Sequence, residues 1–219
     1  MDAKSTGSLL ENLTFHAKNL TFRAMPTLFP NLPGVTASQA LFDAVSETAM
    51  RIGLVSRSEV WAIYGARTEQ HGPARLNERV LLRLWSLLAE RHGGADIGAV
   101  LALQTPVDRL GLLGEVIAHA ASPTEAFDQV VRFSRLLNQR AQIGQKRTVD
   151  HVNLFYDGKL QVDEYQTGLD AGVIWSLAHL ALMPGRLFGA DVWPKKAALP
   201  GRQPRDMATL ERIFGRSIA

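Results

Sequence analysis

Between residues 37 and 140 apolar side chains recur at helical spacing, and after residue 140 the period shortens to two. Ser38 is placed to cap a helix through Ile52, with Leu41, Val45, Thr48 and Ile52 on one face and Gly53 as its stop. Ser56-Arg57-Ser58-Glu59 has the form of a capping box and opens a short helix carrying Trp61, Ile63 and Tyr64. Residues 65–73 read as a polar loop. Asn77 then caps a helix with Leu81, Leu84, Trp85 and Leu88 at i, i+3, i+4 and i+7, ended by Gly93-Gly94. Asp96 begins a short helix containing Ile97, Val100, Leu101 and Leu103. Two further starts follow in tandem, Thr105-Pro106-Val107-Asp108 and Ser122-Pro123-Thr124-Glu125. Each sets a hydroxyl at the N-cap, proline at the first helical position and an acid near the positive helix end. Leu110, Leu113 and Ile117, then Phe127, Val130, Val131 and Leu137, continue both at helical spacing. Residues 105–140 are therefore expected to be a rigid frame of two helices and a tight corner.

The second half reads differently. Val152, Leu154 and Tyr156 alternate with Asn153 and Phe155; Asp157-Gly158 marks a turn; Leu160 and Val162 resume a strand. With a weaker strand over 141–147 this predicts an antiparallel meander. Residues 163–183 return to helix, with Leu169, Val173, Leu177 and Leu180 on one face, Trp175 and His179 beside them, and Pro184-Gly185 as the stop. A strand over 191–199 is pushed to a sheet edge by Pro194. A short helix over 206–214 leads into a last segment that begins like a strand, an end expected of a fragment of a longer protein. The predicted class is α+β: a helical N-terminal half packed on a small antiparallel sheet with further helices. Residues 1–36 stand apart as an N-terminal extension or arm, and residues 37–219 form one domain, helical over 37–140 and mixed over 141–219. Within the arm, Asn12-Leu13-Thr14-Phe15 and Asn19-Leu20-Thr21-Phe22 repeat with alternation that suits strands, although a helical stripe through Leu13 and Leu20 fits as well.

Composition narrows the function classes. The chain has no cysteine, which excludes disulfides, a thiolate nucleophile and zinc–thiolate sites and fits a reducing compartment. Its 24 Lys and Arg against 21 Asp and Glu leave +3, too mild for a nucleic-acid-binding footprint. No uninterrupted apolar run reaches the ~18 residues of a membrane span, and the N-terminus lacks the pattern of a signal peptide. The expectation is a cytoplasmic protein, with the two Asn-x-Thr sequons incidental.

Catalytic patterns are missing. The six histidines contain no i, i+4 pair and no His-Glu-x-x-His run. His119 and His179 fall on helices of the expected core and are the two singled out for a ligand or pH role. Gly111-x-x-Gly114 lies within a helix pattern and reads as close packing, not a phosphate loop. Ser134 and Ser176 have no context that activates a nucleophile. No metal ligand set, cofactor motif or catalytic group is expected, and pattern alone stops at a globular α+β domain.

The order of segments resembles a known family. Leu84-Trp85-Ser86-Leu87-Leu88-Ala89-Glu90-Arg91-His92-Gly93 is similar to an "LW-x-x-A-E-R-x-G" helix, and Gly111-Leu112-Leu113-Gly114 with Ala120-Ala121-Ser122-Pro123-Thr124-Glu125-Ala126-Phe127 to a "GLLGyalLSSPTLgEAL" run. Arg132-Phe133-Ser134-Arg135-Leu136-Leu137-Asn138 is similar to "RYLRLLS", and Leu210-Glu211-Arg212-Ile213-Phe214-Gly215 to "yERLFG". These belong to the N-terminal, arabinose-binding-domain-like effector region of AraC-type transcriptional regulators. The resemblance runs from about Ala37 to Ile218. Arg216-Ser217 stand where the family has Cys-Pro, and the paired helix-turn-helix half does not follow. The resemblance implies a sensory, dimerising domain that takes an unknown small-molecule effector, meets DNA only through that absent half, and has no membrane partner. Trp85, Arg135, Tyr156, Trp175 and His179 are the candidates for an effector pocket, being polar-tipped groups on the two main helices, the sheet and the late helix. The plainer alternatives are core packing for Trp85 and Trp175 and solvent exposure for Arg135. A different function, a stand-alone interaction or self-association domain, would use Leu81, Leu84 and Leu88 as an apolar stripe.

Overall fold

A computed structural model describes residues 13–15, 35–65, 75–148, 152–156, 165–200, 204–215 and 218. The second Asn-Leu-Thr-Phe copy, the polar loop beyond Gly65, the Asp157-Gly158 turn and the strand at Leu160 and Val162 lie outside these residues. The described residues form eight α-helices and six short strands.

Most helices begin where a side chain satisfies an orphan amide. Ser38 Oγ accepts from Leu41 N at 3.0 Å at the start of α1 (Gln39–Arg51). Before α2 (Arg57–Gly65) the box is reciprocal: Ser56 N donates to Glu59 Oε2 at 2.8 Å and Glu59 N to Ser56 Oγ at 3.3 Å. Asn77 caps α3 (Glu78–His92), and Gly93, at φ 90°, ends it in the left-handed region. Asp96 precedes α4 (Ile97–Gln104) without capping it. Its buried carboxylate instead accepts from Asp206 N at 2.7 Å and so ties α8 (Met207–Phe214) to the core.

The tandem starts diverge. The second is as expected: Ser122 Oγ accepts from Glu125 N at 3.2 Å, Glu125 reaches back to Ala121 N at 2.8 Å, and α6 (Pro123–Phe133) follows. The first is not. Thr105 turns its hydroxyl back onto α4, 2.8 Å from Leu101 O and 3.2 Å from Thr48 Oγ1, so it caps nothing ahead of it. The chain makes a 3₁₀ turn over Val107–Leu110, breaks at Gly111 (φ 59°), and only then forms α5 (Leu112–Ala118). A Thr-Pro pair cannot say which way its hydroxyl points; the neighbouring helix end decided it.

The longest helix is α7 (Gln166–Phe188). Pro184 was expected to stop it, but the helix continues one turn further to Gly189, where the N–H groups of Gly189 and Ala190 close on Gly185 and Pro184 carbonyls. So near its end, proline forfeits one hydrogen bond and the helix survives. By length and composition α7 could cross a bilayer, yet most of it is buried in this fold. It packs on α4 and α3. At both contacts a glycine permits the approach: a Cβ on Gly98 would lie 2.1 Å from Ala171 O, and one on Gly168 would lie 2.5 Å from Ser86 Oγ. Leu81, Leu84 and Leu88 are all buried, so the stripe suggested for a partner faces inward.

The antiparallel pairing predicted after residue 140 is seen between β4 (Ile143–Arg147) and β5 (Val152–Tyr156), and Val152, Leu154 and Tyr156 are the buried positions of β5. A second small antiparallel pair joins β2 (Thr36–Ser38) to β3 (Arg75–Asn77). The larger sheet departs from a simple meander. β1 (Leu13–Phe15) lies between β5 and β6 (Pro194–Lys196), parallel to both, giving the order β4-β5-β1-β6. Period-two patterning marks strands but carries no direction, and β1 arrives from far along the chain. Pro194 sits at the sheet edge, as its missing N–H requires.

Candidate functional site

The apolar faces of α3 and α7 do not close fully on the segments opposite. Between them lies a cavity of about 90 Å³. α7 contributes Gly168, Gly172, Trp175, Ser176, His179, Leu180 and Met183, all on one helical face. α3 contributes Leu81, Leu82 and Trp85. Val107, Leu110, Leu113 and Ile117 cover it from the 3₁₀ turn and α5, Val130 and Ser134 from the end of α6, and Ile143 and Tyr156 from the sheet. The two glycines of α7 leave room where side chains would stand; a Cβ on Gly172 would come 3.3 Å from Trp85 Nε1.

An aromatic row runs along one wall. The Trp85 and Trp175 ring centroids lie 6.1 Å apart with the planes at 59°, and the His179 ring packs against Trp175 at 4.1 Å, tilted by 48°. His179 Nδ1 is 3.1 Å from Trp175 O and Nε2 is 3.2 Å from Thr105 O. Both neighbours are acceptors, so the neutral ring can donate to only one of them. Burial pushes His179 down to about 4, against the two carbonyl contacts, which favour the charged ring; the Arg186 charge adds to the depression. Arg186 itself closes the C-terminal end of α4, donating to Ala102 O at 2.9 Å, Leu103 O at 2.7 Å and Thr105 O at 3.2 Å.

The opposite end is polar. Glu78, 3% exposed, accepts from Arg140 Nε at 2.7 Å and from Asn138 Nδ2 at 2.9 Å. Asn138 lines the cavity in front of this pair. Burial raises the Tyr156 phenol well above its ordinary range, and the Glu78 charge raises it further while Arg140 opposes. Tyr156 therefore faces the cavity as a neutral hydroxyl.

Four of the five residues singled out in the sequence meet here: Trp85, Tyr156, Trp175 and His179. Arg135 does not. α6 gives way to a 3₁₀ turn over Ser134–Leu136, and the tighter winding turns Ser134 inward and Arg135 outward, where it meets Gln142 Oε1 at 3.3 Å. His119 is also exposed, with Nδ1 2.7 Å from Glu115 O. Sequence reasoning missed Asn138, Ser134 and the Glu78–Arg140 pair behind them. It also passed over Gly168-x-x-x-Gly172, a small-residue spacing that signals a close helix contact beside Trp85.

Against known proteins, the model of one family, described as the arabinose-binding domain of AraC transcription regulator, N-term, matches residues 58–219. The chain belongs to this family. The matched span takes in α3 through α8, hence nearly all of the cavity wall, while α1 precedes it. No curated protein matches the chain. The AraC N-terminal domain is a regulatory ligand-binding unit, and the cavity between α3, α5 and α7 lies almost entirely within the matched span.

Proposed function

We propose that this AraC-type domain senses a small-molecule effector in the α3/α7 cavity and, as a homodimer, controls transcription through a linked helix-turn-helix half. One observation carries the reading: a largely apolar cavity with a few convergent polar groups lies within the span matched to a ligand-binding family. Trp85, Tyr156, Trp175 and His179, with Asn138, are the residues proposed to contact the effector. An effector acts by its unequal affinity for two arrangements of the domain. The inward burial of Leu81, Leu84 and Leu88 removes the surface on which a purely partner-binding reading rested.

Thermal-shift screening of the chain against amino acids, sugars, fatty acids and neutral and acidic aromatics tests the sensory reading. A compound that binds the native state raises the unfolding midpoint. Silence from every class at millimolar concentration would sink it. Light scattering tests the pairing, since a strict monomer at high concentration removes the dimer. The DNA-reading half is tested by whether the reading frame beyond residue 219 encodes two helix-turn-helix units.

A further inference from the structure

We infer that the cavity takes a small, uncharged, single-ring ligand bearing a hydrogen-bond acceptor such as a ketone, ester or lactone oxygen, in preference to a sugar or a carboxylate. The inference rests on the sensory reading and narrows it.

Three observations support it. The first is charge. Among the described residues no Lys, Arg, Asp or Glu lines the cavity; Glu78 and Arg140 are spent on each other behind Asn138, and Arg186, beside His179, is spent on three carbonyls at the end of α4. A carboxylate would be buried there without a counterion, at a cost of several kcal/mol by general transfer arguments.

The second is the balance of donors and acceptors. Asn138 is engaged at both ends, Nδ2 on Glu78 and Oδ1 on Arg140 N. Both nitrogens of His179 face backbone carbonyls, and Ser176 Oγ donates to Gly172 O at 2.9 Å. What remains is mainly donors. The Trp175 N–H is buried and finds no acceptor among the described residues. The Trp85 N–H and the Tyr156 hydroxyl make no hydrogen bond to a described residue, and Ser134 Oγ, which accepts from Ile143 N at 3.4 Å, keeps its own proton free. A carbonyl or ether oxygen supplies what these groups need. Each hydroxyl of a pentose would instead bring a donor, and the side-chain acceptors left for these are few: one lone pair each on Asn138 Oδ1 and Ser134 Oγ, and the oxygens of Ser176 and Tyr156. A sugar would also set hydroxyls against the apolar side chains that make up most of the lining.

The third is size and shape. The cavity, at about 90 Å³, is smaller than the ~150 Å³ apolar cavity known to accept benzene. One ring fits if the walls part slightly; fused rings do not. The aromatic side chains of Trp85, Trp175 and His179 line the space that such a ring would enter.

The test titrates the 219-residue chain with acetophenone, ethylbenzene, benzoate and L-arabinose, reading the unfolding midpoint and tryptophan fluorescence. Acetophenone is expected to raise the midpoint and quench the emission. Ethylbenzene, which has the shape without the acceptor, should bind ~2- to 10-fold more weakly, the value of one hydrogen bond. Benzoate and L-arabinose should give no shift at the same concentration. Tyr156→Phe keeps its ring and removes the hydroxyl, and Trp175→Phe removes the indole N–H while leaving a smaller aromatic ring, so at least one should bring acetophenone and ethylbenzene to parity. Leu113→Phe fills the cavity and should weaken acetophenone at least tenfold. Unliganded midpoints establish that each variant folds, and the two donor-deleting variants suffice if Leu113→Phe does not.

Tighter binding of L-arabinose or benzoate than of acetophenone overturns the ligand class and leaves the sensory reading standing. Equal binding of acetophenone and ethylbenzene, unmoved by either donor deletion, overturns the acceptor. Silence from all four compounds overturns the class, while the broader screen decides the sensory reading on its own. Unchanged acetophenone affinity in a folded Leu113→Phe places the ligand elsewhere and overturns the site.

Discussion

Two walls face each other across the cavity, and they are built on opposite principles. One is α3 and α7, of 15 and 23 residues, with α4 pressed behind. Most of its backbone hydrogen bonds are internal to long helices, and its contacts close at glycines against backbone and short side chains. The other is the 3₁₀ turn, α5 and α6, of 4, 7 and 11 residues, broken at Gly111 and again before Ser122. Helices this short depend on tertiary packing for their stability. The aromatic and imidazole groups come from the long-helix wall together with Tyr156; the segmented wall adds chiefly aliphatic cover. On the proposed reading recognition falls on the long-helix side and compliance on the other, so a ligand larger than the cavity is expected to displace α5 and α6 first.

The largest effect should come from Gly98→Ala. Its Cβ would meet the Ala171 carbonyl within the α4/α7 contact, and overpacking with no room to yield should cost about 3 kcal/mol or more in urea unfolding. Gly114→Ala is the matched change in the other wall, where a Cβ would lie 2.2 Å from Val107 O. The short 3₁₀ turn can shift, so about 1 kcal/mol is expected. Equal costs would erase the distinction between the walls.

Acid should act through His179, which ties α7 to the end of α4 by its contact with Thr105. Its native value of about 4 lies below the ordinary 6.5, so between these pH values the unfolded chain binds a proton that the folded one refuses. The stability contribution is complete above about pH 6.5 and is lost as pH falls to about 4, by an amount on the order of 3 kcal/mol. A denaturation series across that window should flatten in His179→Gln; an unchanged slope would assign the acid sensitivity to other groups.

Glu78→Gln weakens the polar end where α3 meets the segment after α6. Arg140 keeps partial access to water, so the loss should be about 2 kcal/mol, below that of a fully buried pair. The smallest effect is expected of Ser122→Ala, about 1 kcal/mol for one cap. Its use is in hydrogen exchange. Amides of α6 should exchange faster in the variant while those of α3 and α7 stay as they were, and a uniform acceleration would show that both walls open together.

Local signals were legible wherever local chemistry suffices. Ser38, Ser56 with Glu59, Asn77 and Ser122 cap the helices their sequence neighbourhood predicts, because a capping hydroxyl or amide needs only backbone within a few residues. Gly93 ends α3 for the same reason. The alternation of Val152, Leu154 and Tyr156 marked the buried face of β5. Segment order was enough to identify the family.

Other features depended on contacts between distant residues. Thr105 looks like Ser122 on paper, but the end of α4 and Thr48 claim its hydroxyl. Arg135 and Ser134 differ by one position, and only the winding of the chain after α6 sets which faces the cavity. Asp96 looked like a cap and became the anchor of α8, 110 positions away. The parallel placing of β1 between β5 and β6 left no periodic trace. The sequence by itself determined which helices form, where most of them start and which family the chain joins, because those depend on neighbours along the chain. The cavity, its unmatched donors and its two unlike walls were decided by tertiary structure alone, because they exist only where α3, α5, α7 and the sheet approach without fully closing.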